Sequence, residues 1–179
     1  MPKKYILIII VLVTLASMYF IVANSNKNNK PVEQKKEVSK KQNIAVKEVE
    51  FGGEKGDKIN LVDGAVEINT EILNDGLARY YNVNLSNGDI VYFFVVKDKN
   101  GVYRAAANAC QVCFGSKLGF RQEGDNMICN TCGNAYPLEK IATEKGGCNP
   151  GPINPNLKVK DGKIIITETE LEEVSGFFN

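Results

Sequence analysis

The sequence predicts a mainly β fold, a small antiparallel β domain carrying cysteine knuckles and preceded by one transmembrane helix. Three observations predict it. Short runs of strand-forming residues alternate with hairpin-turn dipeptides. Two Cys-x-x-Cys pairs interrupt those runs, and an uncharged apolar stretch succeeds a short basic N-terminus.

Residues 1–4 are that basic terminus, with Lys3 and Lys4. From Tyr5 to Ala23 the chain is uncharged and dominated by Ile, Leu and Val. At 1.5 Å per residue the run reaches roughly 28 Å, close to the ~30 Å of bilayer hydrocarbon. Residues 5–23 therefore read as an uncleaved signal-anchor helix. The run exceeds a usual signal-peptide core, and no clear cleavage site or lipobox cysteine accompanies it. Residues 24–46 are rich in Asn, Lys, Gln, Glu and Ser, too polar to offset their ordering entropy, and are expected to form a flexible stalk.

Two signals of orientation disagree. Lys27, Lys30, Lys35, Lys36, Lys40 and Lys41 outnumber Lys3 and Lys4, which by the positive-inside count keeps the stalk cytoplasmic. Against this, Lys4 abuts the helix while Asn24-Ser25-Asn26 leaves its far end uncharged, the shape of an anchor that exports the chain beyond it. The expectation is a single-pass cell-membrane protein with an extracytoplasmic domain.

Residues 47–179 are expected to be that β-rich domain, with a cysteine subdomain over 106–155. Ala65–Asn69 alternates, Arg79–Leu85 is rich in strand formers, and Ile90–Val96 is nearly continuous apolar sequence. Asn87-Gly88, Asn100-Gly101 and Asp161-Gly162 are hairpin turns, the last joining Leu157–Lys160 to Lys163–Thr167. Thr169 and Glu172 have capping-box spacing for a short C-terminal helical turn. Tyr80, Tyr81, Tyr92, Phe93 and Phe94 are expected in the sheet core, and Arg121, Glu123 and Asp125 on a solvated strand face.

The chemistry lies in the cysteines. Cys110/Cys113 and Cys129/Cys132 are paired knuckles, and a hairpin turning at Gly124-Asp125 brings the second back beside the first. Glycine after the second knuckle (Gly133) suits the reversal that aims backbone N–H groups at sulfur. The 179 residues include no histidine, so a soft-metal site here is built from sulfur. Cys110, Cys113, Cys129 and Cys132 are the expected ligands. Cys148, in the Gly- and Pro-rich loop 146–155, is an alternative ligand, a redox-active thiol or a shield. Spacing leaves a 2Fe–2S cluster, a zinc ion and a mononuclear iron open. Two local disulfides are the metal-free alternative, although five cysteines cannot all pair internally.

A net charge of +1 gives no support for nucleic acid, and no phosphate-binding glycine loop, serine–histidine pair or haem motif supports a nucleotide or hydrolase reading. Neither Cys-x-x-Cys precedes a helix in a βαβ pattern, which disfavours a thiol oxidoreductase. The sequence favours an electron carrier or binding protein over a stand-alone catalyst.

These residues carry two resemblances. Two cysteine loops joined by a hairpin, then a Gly/Pro loop and a closing hairpin, resemble a Rieske domain with rubredoxin-like knuckles, without the histidine ligands. More closely, Ala109-Cys110-x-x-Cys113, Gly119 through Gly133 and Gly146 through Pro150 resemble the FtrD-like family of membrane iron–sulfur containing proteins. That resemblance implies an iron–sulfur redox protein, with 2Fe–2S as the expected cluster. It also implies a membrane redox or iron-transport partner and a link to iron uptake. A structural zinc-ribbon module and a metal-delivery protein using Cys148 are the alternatives.

Overall fold

A computed structural model describes residues 49–179; the expected anchor (5–23) and stalk (24–46) lie outside the described residues. No described helix is long and apolar enough to cross a membrane. The described part is a mainly β domain of three sheets.

The central sheet is an antiparallel meander of β3 (Arg79–Asn84), β4 (Ile90–Lys97) and β5 (Tyr103–Cys110). Two short strands extend it: β1 (Asp57–Lys58) runs parallel to β3, and β9 (Pro150–Pro152) pairs with the outer edge of β5. The edge position tolerates the prolines of β9, which cannot donate to a further ladder. A second sheet is formed by β10 (Lys158–Lys160), β11 (Lys163–Thr167) and β2 (Ala65–Asn69). The third holds β6 (Phe120–Glu123), β7 (Asn126–Cys129) and β8 (Ala135–Pro137).

The central sheet is covered on both faces, and its sequence shows why. Val91, Phe93 and Val95 point into one core with Val66, Ile68, Ile164 and Ile166 of the second sheet. Phe94 and Val96 point the other way, into a core with Phe120, Met127 and Tyr136 of the third. All five of these β4 side chains are fully buried, so the run is continuously apolar instead of alternating. Each such burial contributes about 1.5–3 kcal/mol. On β5 the partners are small: Ala107 lies opposite Phe93 and Ala106 opposite Phe94. The rings fill the space the alanines leave on each face.

Asp161 and Gly162 both take positive φ (50° and 73°), as the tight turn joining β10 to β11 requires. The helix α1 (Glu168–Ser175) starts two residues before the expected capping box: Thr167 caps it with Glu170, not Thr169 with Glu172. Burial explains the shift. Leu171 and Val174 pack into the first core, and a start two residues later would rotate the helical face by roughly 200°.

Asn108 ties the layers together. It is fully buried in β5; its Nδ2 donates to the Glu54 carbonyl at 2.8 Å, and its Oδ1 accepts from Phe120 N–H at 2.7 Å. One side chain thus pins the segment before β1 and the start of β6 to the central sheet. Asn108→Ala should destabilise the protein by roughly 2–4 kcal/mol, because the buried Phe120 N–H loses its partner at about 1–3 kcal/mol and the half-buried bond to the Glu54 carbonyl, of about 1 kcal/mol, is lost. Denaturant midpoints would check this; a loss below about 1 kcal/mol would mean that water replaces both bonds.

Candidate metal centre

Two of the thiols are held by strand ends. Cys110 is the last residue of β5 and Cys129 the last of β7, and both are buried. The hairpin of β6 and β7 turns at Gly124-Asp125 and sets Cys129 opposite Phe120, against the second core. The two knuckles are therefore carried to one place by two rigid sheets.

Beyond Cys110 the chain curls so that Cys113 N–H donates to Cys110 Sγ at 3.4 Å, then enters a short 3-10 turn over Phe114–Ser116. In the second knuckle the backbone N–H groups of Cys132 and Thr131 favour the Cys129 thiolate, and that of Asn134 favours the Cys132 thiolate. Gly133 makes this possible: at φ 74° its own N–H closes on the Cys129 carbonyl at 2.8 Å. That left-handed conformation strains any residue with a Cβ. The knuckles are also joined to each other, through a bond between the Ser116 and Thr131 hydroxyls and from Asn130 Nδ2 to the Leu118 carbonyl at 2.9 Å.

All five cysteines are free thiols, and all five converge. The sulfurs of Cys110, Cys113 and Cys148 lie within 4.8 Å of one another, as do those of Cys113, Cys129 and Cys132. Cys113 belongs to both groups, and the Sγ atoms of Cys132 and Cys148 are 3.8 Å apart. Both groups contain cysteine alone. An all-sulfur donor set suits soft or borderline metals and iron–sulfur clusters, and does not suit magnesium or calcium.

The thiols differ in their readiness to ionise. Burial, then the neighbouring Cys110, pushes the Cys113 thiol well up. Burial also raises Cys129, against the pull of the N–H groups of Cys132 and Thr131. Cys148 is raised first by Cys132 beside it and then by burial. Cys132 is held below the ordinary thiol range, chiefly by the Asn134 N–H and next by Cys129. It is also the exposed member of the set.

The loop bearing Cys148 is clasped by residues that sequence reasoning missed. Gln111, inside the first knuckle, donates from Nε2 to Asn149 Oδ1 at 2.7 Å and accepts from Gly146 N–H at 3.0 Å. Its backbone N–H reaches the Asn149 carbonyl at 3.0 Å, and Asn134 Nδ2 donates to the Cys148 carbonyl at 2.9 Å. Nothing in a Cys-x-x-Cys pattern marks its interior glutamine; the only sequence signal was the Asn-Pro pair after Cys148. Behind the first knuckle, Phe114 meets Phe177 with ring centroids 5.5 Å apart, and Lys117 Nζ donates to the Phe178 carbonyl at 2.5 Å. Arg121, Glu123 and Asp125 are exposed on the hairpin, with Arg121 and Glu123 paired at 2.6 Å, as a solvated face requires.

No curated protein and no solved structure matches the chain significantly. The sequence model of the family described as "Membrane iron-sulfur containing protein FtrD-like" matches residues 73–178. That span takes in β3 through α1 and all five cysteines. With more than half its length matched and its thiols gathered at one centre, the chain belongs to the FtrD-like family of membrane iron–sulfur containing proteins.

Proposed function

We propose that the chain is a membrane-anchored electron carrier whose domain holds an iron–sulfur cluster, 2Fe–2S, through Cys110, Cys113, Cys129 and Cys132. The observation that carries this reading is the convergence of free thiols from two knuckles in a member of an iron–sulfur family. Bound there, the cluster supplies the capacity to take up and release one electron.

The protein's own contribution is to hold and tune. Strand ends fix Cys110 and Cys129, the Cys113 N–H donates to the Cys110 sulfur, and backbone N–H groups favour the thiolates of Cys129 and Cys132. Phe114 packs its ring against Phe177 behind the first knuckle. Cys132 is the exposed sulfur, and Val112 and Phe114 of the first knuckle are exposed apolar side chains that a partner could cover. The arrangement of two knuckle loops, joining hairpin and covering Gly/Pro loop supports a Rieske-like layout with rubredoxin-like knuckles.

In this reading residues 5–23 anchor the protein, 24–46 form a tether letting the domain 47–179 move between donor and acceptor, and the domain faces outward. The partner is a membrane redox or iron-transport protein, and the tie to iron uptake rests on the family resemblance.

A single tetrahedral ion is the second reading, favoured by the spacing within each group of three sulfurs, although the two groups share only Cys113. Four thiolates at the usual ~2.3 Å from one zinc stand about 3.8 Å apart, near the 3.8 Å separating Cys132 from Cys148 and inside the 4.8 Å limit of both groups. That reading gives a structural zinc-ribbon module, or a mononuclear iron site.

Metal analysis separates the two. The full chain purified anaerobically should contain iron and acid-labile sulfide, absorb in the visible, and give an EPR signal on reduction. Cys110→Ser and Cys129→Ser should each cut its iron content at least tenfold. A colourless protein with one zinc per chain would refute the electron carrier and establish the zinc module.

Thiol reactivity gives an independent check of the electrostatics. In the metal-free chain near neutral pH, iodoacetamide should modify Cys132 ahead of Cys113 and Cys148, since Cys132 is exposed and ionises most readily. Peptide mapping that found Cys148 labelled first would contradict the assignment.

A further inference from the structure

Five thiols converge where a cluster or a tetrahedral ion takes four, so one is in excess. Burial and anchoring say which positions are fixed. Cys110 and Cys129 end strands and are buried, and Cys113 belongs to both groups of sulfurs, whichever set is occupied. Cys132 is exposed and Cys148 half-buried, with their Sγ atoms 3.8 Å apart. Cys148 comes just after Gly146 and Gly147, both in the left-handed region at φ 86° and 81°. It is nevertheless not a loose thiol, because Gln111 and Asn134 bond its loop to both knuckles. A thiol serving only as cover does not need its loop clasped on both sides of the sulfur.

We propose that Cys132 and Cys148 are interchangeable ligands for the outer coordination position, with Cys110, Cys113 and Cys129 permanent. This rests on the reading of the site as a thiolate metal centre. The exchange balances within the pair. With a metal bound, Cys148 would replace Cys132 as a ligand, and the proton released by the Cys148 thiol would pass to the freed Cys132 thiolate, whose Sγ lies 3.8 Å away. No electron is transferred and no co-reactant is needed. With three sulfurs held, the exposed face can open for loading or release without the site dissolving.

The test uses the anaerobically purified full chain with its metal bound. Iodoacetamide should label one thiol per chain, on Cys132 in some molecules and on Cys148 in others, by peptide mapping. Cys132→Ser and Cys148→Ser should each retain at least half the wild-type metal, with absorption or EPR features shifted from wild type and from each other. The double variant should lose metal at least tenfold. Label confined to either residue, a single variant without metal, or a double variant that retains it would each overturn the exchange. The metal's identity is measured on the same samples. Zinc in place of iron and sulfide defeats the electron carrier while leaving the labelling pattern to decide the exchange on its own.

Discussion

Sulfur atoms held within bonding reach of one another are the constraint on which this domain depends. Uncharged, they pack like small apolar groups. Once ionised they repel, and only a metal or donated N–H groups make the cluster of charges tolerable. The fold supplies the second, and its gathered thiols are compatible with the first. Two strand ends bring Cys110 and Cys129 in from different sheets. The central sheet is buried on both faces, so neither strand end can drift without opening a core.

The same constraint explains the many polar bonds around an otherwise apolar region. Asn108 locks β5 to β6, the Ser116 and Thr131 hydroxyls join knuckle to knuckle, and Gln111 fastens the third loop to the first. Each links segments distant in sequence, where hydrophobic packing alone leaves register loose. A directional bond to a backbone group sets the loop in one place. The knuckles gain precision from these bonds more than net stability, since a typical one contributes only about 1 kcal/mol.

Legibility in the sequence tracked the locality of the cause. The Asp161-Gly162 turn, the alternation of Ala65–Asn69 and the apolar run Ile90–Val96 are short-range signals, and β2, β4 and the β10–β11 hairpin stand where they pointed. The strand β5 was not legible: Ala105, Ala106 and Ala107 have little strand preference, and the strand exists because Phe93 and Phe94 lie across from them. The capping box missed by two residues because the burial of Leu171 and Val174 outweighed an equally good local pattern. At the site, the pairing of two Cys-x-x-Cys motifs announced a shared centre. What it could not announce was the place of Cys148 among the other thiols, which depends on bonds from Gln111 and Asn134 across the fold.

The absence of histidine from the chain gives the proposed centre a further character. A ligating imidazole titrates near neutrality and can lose a proton on oxidation, which ties redox behaviour to pH. Sulfur ligands release their protons on metal binding instead, so pH bears on loading and has little left to act on afterwards. In this site the burden falls unequally, because burial and Cys110 make Cys113 the most reluctant to ionise while the Asn134 N–H eases Cys132. The easily ionised sulfur is thus the exposed one, and the reluctant one is the thiol common to both groups.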